Sequence, residues 1–66
     1  MKYQVKFTTV DGLDGVMFAN DLETATVDAE EIIYLHDVDT LVINVFFDGV
    51  DGWMPVKLYG YGRWFD

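Results

Sequence analysis

Apolar and polar residues alternate at the start of the chain. Tyr3, Val5 and Phe7 fall on one side of this pattern, and the residues between them fall on the other. Strict alternation is typical of a β-strand that buries one face, so residues 2–10 are predicted to form a strand. A short apolar run at residues 16–19 (VMFA) predicts a second strand.

The pattern then changes to the three- and four-residue spacing of a helix. The apolar stripe comprises Leu22, Ala25, Ala29, Ile32, Ile33 and His36. Asn20 followed by Glu23 has the spacing of a capping box, which satisfies backbone donors at a helix N-terminus. The threonines and the valine that come next are weak helix formers. The helix is therefore predicted to begin either at this cap or only near Asp28. The helix is predicted to end near residue 36.

The second half of the chain is strongly β-prone. Residues 41–47 (LVINVFF) predict a third strand, and the run from Trp53 to about Trp64 predicts a fourth. Pro55 has no N–H to donate, so the start of the fourth strand is expected at a sheet edge or outside the sheet. The whole pattern predicts one α+β domain, residues 1–66, in the order ββαββ, with the helix packed on a small, mainly antiparallel four-stranded sheet.

Two segments of the same pattern connect the strands, DGLDG at 11–15 and DGVDG at 48–52. Asp-Gly between apolar runs is a strong signal for a hairpin turn, because glycine takes positive φ and aspartate bonds the turn backbone. A calcium loop needs oxygen ligands at several alternating positions and a closing glutamate. Each DG segment has two carboxylates around one apolar residue and no such glutamate. Both are therefore predicted to be plain turns, and no metal site is predicted.

The chain has few residues suited to catalysis. It contains neither cysteine nor serine, and its one histidine, His36, falls where the predicted helix ends. A histidine there interacts favourably with the helix dipole or packs against a neighbour. The glycines at 60 and 62 lack the third glycine and the following helix of a phosphate-binding motif. We therefore predict that the protein is not an enzyme and binds no cofactor.

The composition is strongly acidic. Twelve Asp and Glu residues stand against four Lys and Arg, which gives a net charge of −8 at pH 7. This charge excludes electrostatic binding to nucleic acid or to an anionic membrane. It favours a basic protein partner, or it serves solubility alone. No apolar run reaches the roughly 18 residues of a membrane span, so the protein is expected in the cytoplasm.

The acidic residues occur as near-neighbour pairs, expected on exposed turns and on the polar side of the helix. The pairs are Asp11/Asp14, Asp21/Glu23, Glu30/Glu31, Asp37/Asp39 and Asp48/Asp51. Like charges held close together repel and lower stability. Their presence in so small a domain therefore indicates that the negative charge itself has a function. Rows of carboxylates can imitate the phosphates of DNA, which carries one charge per about 1.7 Å of duplex axis. The alternative is an ordinary solvated surface.

Aromatic side chains are expected on the sheet face away from the helix. The alternation in the fourth strand predicts that Met54, Val56 and Leu58 face the helix. The tyrosines of this strand are expected to face away from the helix. Clustered exposed aromatic residues are typical of a contact surface, most simply with a second copy about a twofold axis. We predict a homodimer through this face or the final strand; the alternative is a terminal segment that folds back over the aromatic residues. The predicted interface residues are Val42, Phe46, Tyr59, Tyr61 and Trp64.

The small size, the acidity, the lack of cysteine and the aromatic sheet face resemble the small host-takeover proteins of bacteriophages, above all their DNA-mimic inhibitors. This resemblance implies an inhibitor that occupies the DNA-binding surface of a basic bacterial protein. A nucleoid-associated protein of the HU type is expected first, then a CRISPR nuclease or a restriction enzyme. The alternative is a small interaction or scaffold module that uses the aromatic face and is acidic only for solubility.

Overall fold

The computed structural model describes residues 2–47 and 52–65, in which an antiparallel sheet carries one helix. The predicted α+β class is confirmed. The described residues form five strands rather than the predicted four, in the order ββαβββ. The elements are β1 (Tyr3–Thr9), β2 (Asp14–Ala19), α1 (Leu22–Leu35), β3 (Val38–Phe47), β4 (Gly52–Gly60) and β5 (Arg63–Phe65).

The fifth strand arises from a tight turn that divides the predicted last strand in two. Tyr61 and Gly62 have φ angles of 54° and 76°, and a two-residue type I′ hairpin turn requires positive φ at both central residues. The chain therefore reverses after Gly60, which pairs with Arg63. Tyrosine seldom adopts positive φ, so the sequence pattern does not predict this turn.

The sheet has the order β2-β1-β3-β4-β5, and all neighbouring strands are antiparallel. Val5 of β1 lies between Met17 of β2 and Ile43 of β3 in this register. The β1–β2 turn, the end of α1 and the start of β3 therefore meet at one end of the sheet, here called the turn end. Phe47 and Gly52, which flank residues 48–51 of the second DG segment, pair with each other at the opposite end. Residues 48–51 lie outside the described residues.

The hydrophobic core lies between α1 and the helix-facing side of the sheet. Val5 and Ile43 are the largest fully buried side chains, and both belong to the central strands. The helix contributes Ala25, Ala29 and Ile32, which are buried as predicted. Alanine at two of these positions lets the helix backbone lie close to the sheet. Leu22 departs from the prediction, because it lies in the first helical turn and is 37% exposed.

Asp21 caps the helix, one residue after the start of the predicted capping box. Its carboxylate accepts a hydrogen bond from the Thr24 N–H at 2.7 Å, so the helix begins at Leu22 and not near Asp28. The hydroxyl of Thr26 donates to the carbonyl oxygen of Leu22 at 2.8 Å. The capping bond from Thr24 to Asp21 gives the first turn support that the helix propensities of its residues do not provide.

A bulge in β4 overturns the predicted facing of the second half of this strand. Two consecutive residues of β3 pair with Lys57 and Pro55, so Val56 is an extra residue without a direct partner. One extra residue shifts the alternation by one position. Tyr59 therefore turns to the helix side, where it packs against the core, while Leu58 turns away from the helix. Both are the reverse of the prediction.

Phe7 fills the space beside a glycine at the turn end of the sheet. It lies directly opposite Gly15, and a Cβ atom at position 15 would come within 2.3 Å of its ring. The ring of His36 stacks with Phe7 at a centroid distance of 6.3 Å. Packing is thus one role of this histidine, as predicted.

The first DG segment is a hairpin turn, as predicted. The Thr9 N–H donates to the Leu13 carbonyl oxygen at 2.8 Å, and the Gly12 N–H donates to the Thr9 carbonyl oxygen at 3.0 Å. Gly12 has a φ of 92°, which makes glycine the favoured residue at this position. Among residues 2–47 and 52–65, no group of three or more His, Cys, Asp or Glu side chains is placed to hold a metal ion.

Candidate functional site

Positive and negative charges are separated in the fold. All four Lys and Arg residues lie in or beside β1, β4 and β5, and none occurs between residues 7 and 56. The helix α1, by contrast, carries four acidic residues and no basic one. Together with the N-cap they form the group called here the helix carboxylates, which are Asp21, Glu23, Asp28, Glu30 and Glu31. The helix layer is therefore a surface of one sign.

The helix carboxylates have a linear charge density close to that of a single DNA strand. Asp21 and Glu31 are ten residues apart, which corresponds to about 15 Å at a helical rise of about 1.5 Å per residue. Five carboxylates over this length give one charge per about 3–4 Å, and one DNA strand carries a phosphate per about 3.4 Å of axis. Of the five, only Asp28 is half-buried; the others are exposed.

The outermost row of α1 combines glutamates with exposed apolar side chains. Glu23, Val27, Glu30 and Tyr34 follow one another three or four residues apart, on the side opposite the buried alanines. Tyr34 is 88% exposed. Tyrosine is enriched in protein interfaces because it offers a large contact area with a polar tip. This row therefore combines negative charge with contact area on one exposed side of the helix.

A second acidic group lies at the turn end, made up of the exposed residues Asp11, Asp14, Asp37 and Asp39. The Val10 N–H donates to the Asp37 carbonyl oxygen at 2.8 Å, which ties the first hairpin to the start of β3. Thr8 donates its hydroxyl proton to the Asp14 carboxylate at 2.9 Å, and Thr9 donates to Asp11. Two of these four carboxylates thus take part in the hairpin structure.

The end of the helix lacks the positive charge that would stabilise it. The last turn of α1 contains no basic residue, and Asp37 lies two residues beyond the helix. A carboxylate near a helix C-terminus is unfavourable because the helix dipole is negative there. Asp37 therefore lies where a negative charge lowers stability, whereas Asp21 and Glu23 lie at the favourable N-terminal end of the helix. The remaining predicted acidic pair, Asp48 and Asp51, lies outside the described residues.

Asp21 links the ionisation of this surface to the stability of the helix. The Thr24 backbone N–H donates to its carboxylate, and this hydrogen bond holds the pKa of Asp21 below the ordinary value of 3.8. A depressed pKa means that the ionised form favours the folded state. The stabilisation is complete above the ordinary pKa and is lost as the pH falls through the lower folded-state pKa.

We expect Asp21→Ala to lower the melting temperature at neutral pH, because the Thr24 N–H loses its acceptor. The difference between parent and variant should shrink as the pH falls below the ordinary pKa of 3.8. Thermal unfolding followed by circular dichroism at several pH values measures this difference. Asp21→Asn is the control, since it keeps an oxygen acceptor and does not titrate. A parent–alanine difference that stays constant into strong acid would contradict the role of the ionised cap.

The open sheet face, the side of the sheet without the helix, is rich in apolar side chains. The pairing registers place on it Val16, Phe18, Val42, Phe46, Trp53, Leu58 and Phe65. The ring of Trp53 lies 5.3 Å from that of Phe46 and 6.0 Å from that of Phe18, measured between centroids. A groove of about 570 Å³ runs beside Lys6 and Leu58. An apolar face of this extent is typical of a contact surface.

The five predicted interface residues do not share one surface. Val42 and Phe46 lie on the open sheet face, as predicted. Tyr59 and Trp64 lie on the helix side, with their ring centroids 5.4 Å apart, and pack against the core. Tyr61 lies in the turn after β4 and is 96% exposed. The bulge at Val56 and the turn before β5 are the physical reasons for this separation.

The sequence interpretation missed other residues of the open sheet face. Val16 and Phe18 follow the alternation of β2, so the argument used for Val42 would have found them. Leu58 required knowledge of the bulge in β4, because uninterrupted alternation points this side chain toward the helix.

Fold and surfaces together define a small acidic α+β domain with one charged helix layer and one apolar sheet face. No helix in the described part of the chain is long and apolar enough to cross a membrane. Comparison with known proteins gives no match: no family model, no curated protein and no solved structure is significantly similar to this chain.

Proposed function

We propose that the protein is an acidic DNA-mimic inhibitor, which binds a basic host protein and blocks its DNA-binding surface. The observation that carries this proposal is the layer of helix carboxylates, whose charge spacing is close to that of a DNA strand. No Lys or Arg interrupts the chain between residues 7 and 56. A DNA-binding surface presents Lys and Arg at phosphate spacing, and this layer offers carboxylates at a matching density.

The distribution of charge supports the proposal further. Asp37 follows a helix end at which a positive charge would be more favourable. Solubility alone would be served equally well by acidic residues anywhere on the surface. Five carboxylates on the helix layer and four more at the turn end, with the cations in or beside β1, β4 and β5, instead give the molecule a directed field. Such a field steers the helix layer toward a basic protein and raises the association rate.

The partner follows from the same chemistry. A nucleoid-associated protein of the HU type is the first candidate, because it is small, basic and abundant. A CRISPR nuclease or a restriction enzyme is the next. The protein would then act in the cytoplasm of a bacterial host during bacteriophage infection, and it would need no cofactor and no catalytic residue.

A specific observation favours a second function. The aromatic cluster of Phe18, Phe46 and Trp53 on the open sheet face offers a contact surface that does not depend on charge. On this account the protein is an interaction or scaffold module, and its acidity serves solubility. The two functions use opposite faces of the molecule, so they can be tested separately.

Capture of partners from a bacterial lysate, repeated at low and high salt, tests the proposed function. If the helix carboxylates form the contact, partners should be retained at about 0.05 M salt and lost at about 0.5 M, where the Debye length is only a few ångströms. The captured protein should be basic and bind DNA. Partners that resist high salt, and that are lost on replacing Phe46 with serine, would instead establish the aromatic face as the functional surface.

A further inference from the structure

The two edges of the sheet differ in how far they are protected against pairing with another strand. β2 forms one edge and, within the described residues, pairs with β1 alone. Its central residues Val16, Met17 and Phe18 are all exposed apolar side chains. We infer that β2 is a self-pairing edge, at which two copies of the chain join antiparallel into one continuous sheet. This inference does not depend on the proposed function.

Backbone hydrogen bonds show which groups of β2 are free to pair. The carbonyl oxygens of Leu13 and Ala19, which flank and end the strand, accept from Thr9 and Lys2 on the β1 side, at 2.8 and 3.1 Å. In an antiparallel strand, successive residues direct their backbone groups to alternate sides. The even-numbered residues 14, 16 and 18 therefore direct their N–H and C=O groups to the outer edge.

The opposite edge of the sheet carries features that hinder pairing, and β2 carries none of them. β5 has only three residues. The half of β4 that is not paired with β5 contains Pro55 and the bulge at Val56. Proline, bulges and very short strands are the usual protections of an edge. β2 has six residues without proline, lysine or bulge, and its one charge is Asp14 at the end. The contrast indicates that the β2 edge is left open for a partner strand.

A second copy fits this edge in one particular register. When Met17 faces Met17 of the second copy, Val16 faces Phe18 of that copy on the open sheet face. A β-branched residue opposite an aromatic one is a favourable cross-strand pair. The outward backbone N–H and C=O groups of Val16 and Phe18 form hydrogen bonds with those of Phe18 and Val16 of the second copy. Asp14 lies opposite Asn20 of the second copy rather than opposite another carboxylate. Shifting the register by one pair places either Asp14 opposite Phe18 or Val16 opposite Asn20, and in both cases the match of Val16 with Phe18 is lost.

The symmetry of this pairing determines where the charged layers lie. Antiparallel pairing of two identical edges requires a twofold axis perpendicular to the sheet. Both helices then lie on the same side of a ten-stranded sheet, and both open sheet faces lie on the other. Each copy carries a net charge of −8, so the copies repel one another. Association should therefore strengthen as salt screens the repulsion, whereas binding of a basic partner should weaken.

Disulfide formation at introduced cysteines tests the register directly, since the natural chain has none. In a non-hydrogen-bonded pair the two Cα atoms at position 17 lie about 4.5 Å apart, within the range of a disulfide. The two Cα atoms at position 16 lie about 8 Å apart in this register, beyond that range. With oxidised glutathione, Met17→Cys should give a disulfide dimer at least tenfold faster than Val16→Cys or Val10→Cys.

Two outcomes of the cross-linking experiment would contradict the inference. Equal rates for all three variants, including the turn variant Val10→Cys, would overturn the pairing, because only random collisions would be present. Faster cross-linking of Val16→Cys would overturn the proposed register.

The association without a cross-link gives an independent measurement. Val16→Pro removes an outward N–H without touching the bonds to β1, while Val16→Thr keeps that N–H. Sedimentation equilibrium at high micromolar concentration should show a dimer for the parent and the threonine variant, and a monomer for the proline variant. If the proline variant does not fold, Val16→Lys is used in its place. The lysine variant should likewise be monomeric. A parent that remains monomeric at every concentration and salt, or a blocked variant that still dimerises, would overturn the inference.

Discussion

Replacing Ile43 with alanine is expected to remove most of the free energy of unfolding. Ile43 is fully buried at the centre of the sheet, between Val5 of β1 and Lys57 of β4, and belongs to the core shared with α1. Truncation of a buried isoleucine to alanine costs about 2–5 kcal/mol, and a core of this size rarely supplies more than about 3–5 kcal/mol of net stability. Urea unfolding followed by circular dichroism measures the loss.

Leu58→Ala is the matched control for this prediction. Leu58 lies on the neighbouring strand but is 50% exposed on the open sheet face. Its truncation should cost less than about 1 kcal/mol, in the range of ordinary surface changes. If Ile43→Ala and Leu58→Ala had the same urea midpoint, the assignment of the core to the helix side of the sheet would be wrong.

Neutralising the helix layer is expected to weaken binding of a basic partner by roughly tenfold or more. The variant replaces Glu23, Glu30 and Glu31 with glutamine, which removes three exposed charges and keeps the helix propensity. One exposed ion pair changes an affinity by a few-fold at most, so the three together give the larger effect. Titration of the captured partner by fluorescence anisotropy at low salt measures the dissociation constant.

A second triple variant separates the position of the charges from their number. Asp14, Asp37 and Asp39 lie at the turn end, and their replacement with asparagine changes the net charge by the same amount. If the helix layer forms the contact, this variant should lose no more than about threefold through weaker steering. Equal losses in the two variants would show that net charge alone matters and would remove the helix layer as the binding surface.

The sequence predicts the elements whose apolar pattern is regular. β1 alternates without interruption, and the stripe of α1 places small residues such as Ala25 and Ala29 at helical spacing. Local propensity was a poorer guide at the helix start, because the bond from the Thr24 N–H to Asp21 fixes the first turn. The capping interaction outweighed the weak helix formers that follow it.

The features that escaped prediction depend on single backbone irregularities. The bulge at Val56 reverses the facing of Tyr59, and nothing in the alternation of apolar residues marks where it occurs. The fifth strand depends on Tyr61 at positive φ, which is uncommon for that residue. The acidic layer was easier to find, since the helix pattern placed Glu30 and Glu31 on the polar side. On the open sheet face, the place of Leu58 could not be predicted until the bulge in β4 was known.

Displacement of DNA from a basic protein is the most direct test of the proposal that the protein mimics DNA. A fluorescent DNA duplex is bound to an HU-type nucleoid protein at low salt, and the acidic protein is added while the anisotropy of the DNA is followed. We expect that the DNA is released, that the helix triple variant releases it far less effectively than the turn-end triple variant, and that the release diminishes as salt rises. DNA that stays bound to each of the proposed basic partners, with the acidic protein in excess, would contradict the account.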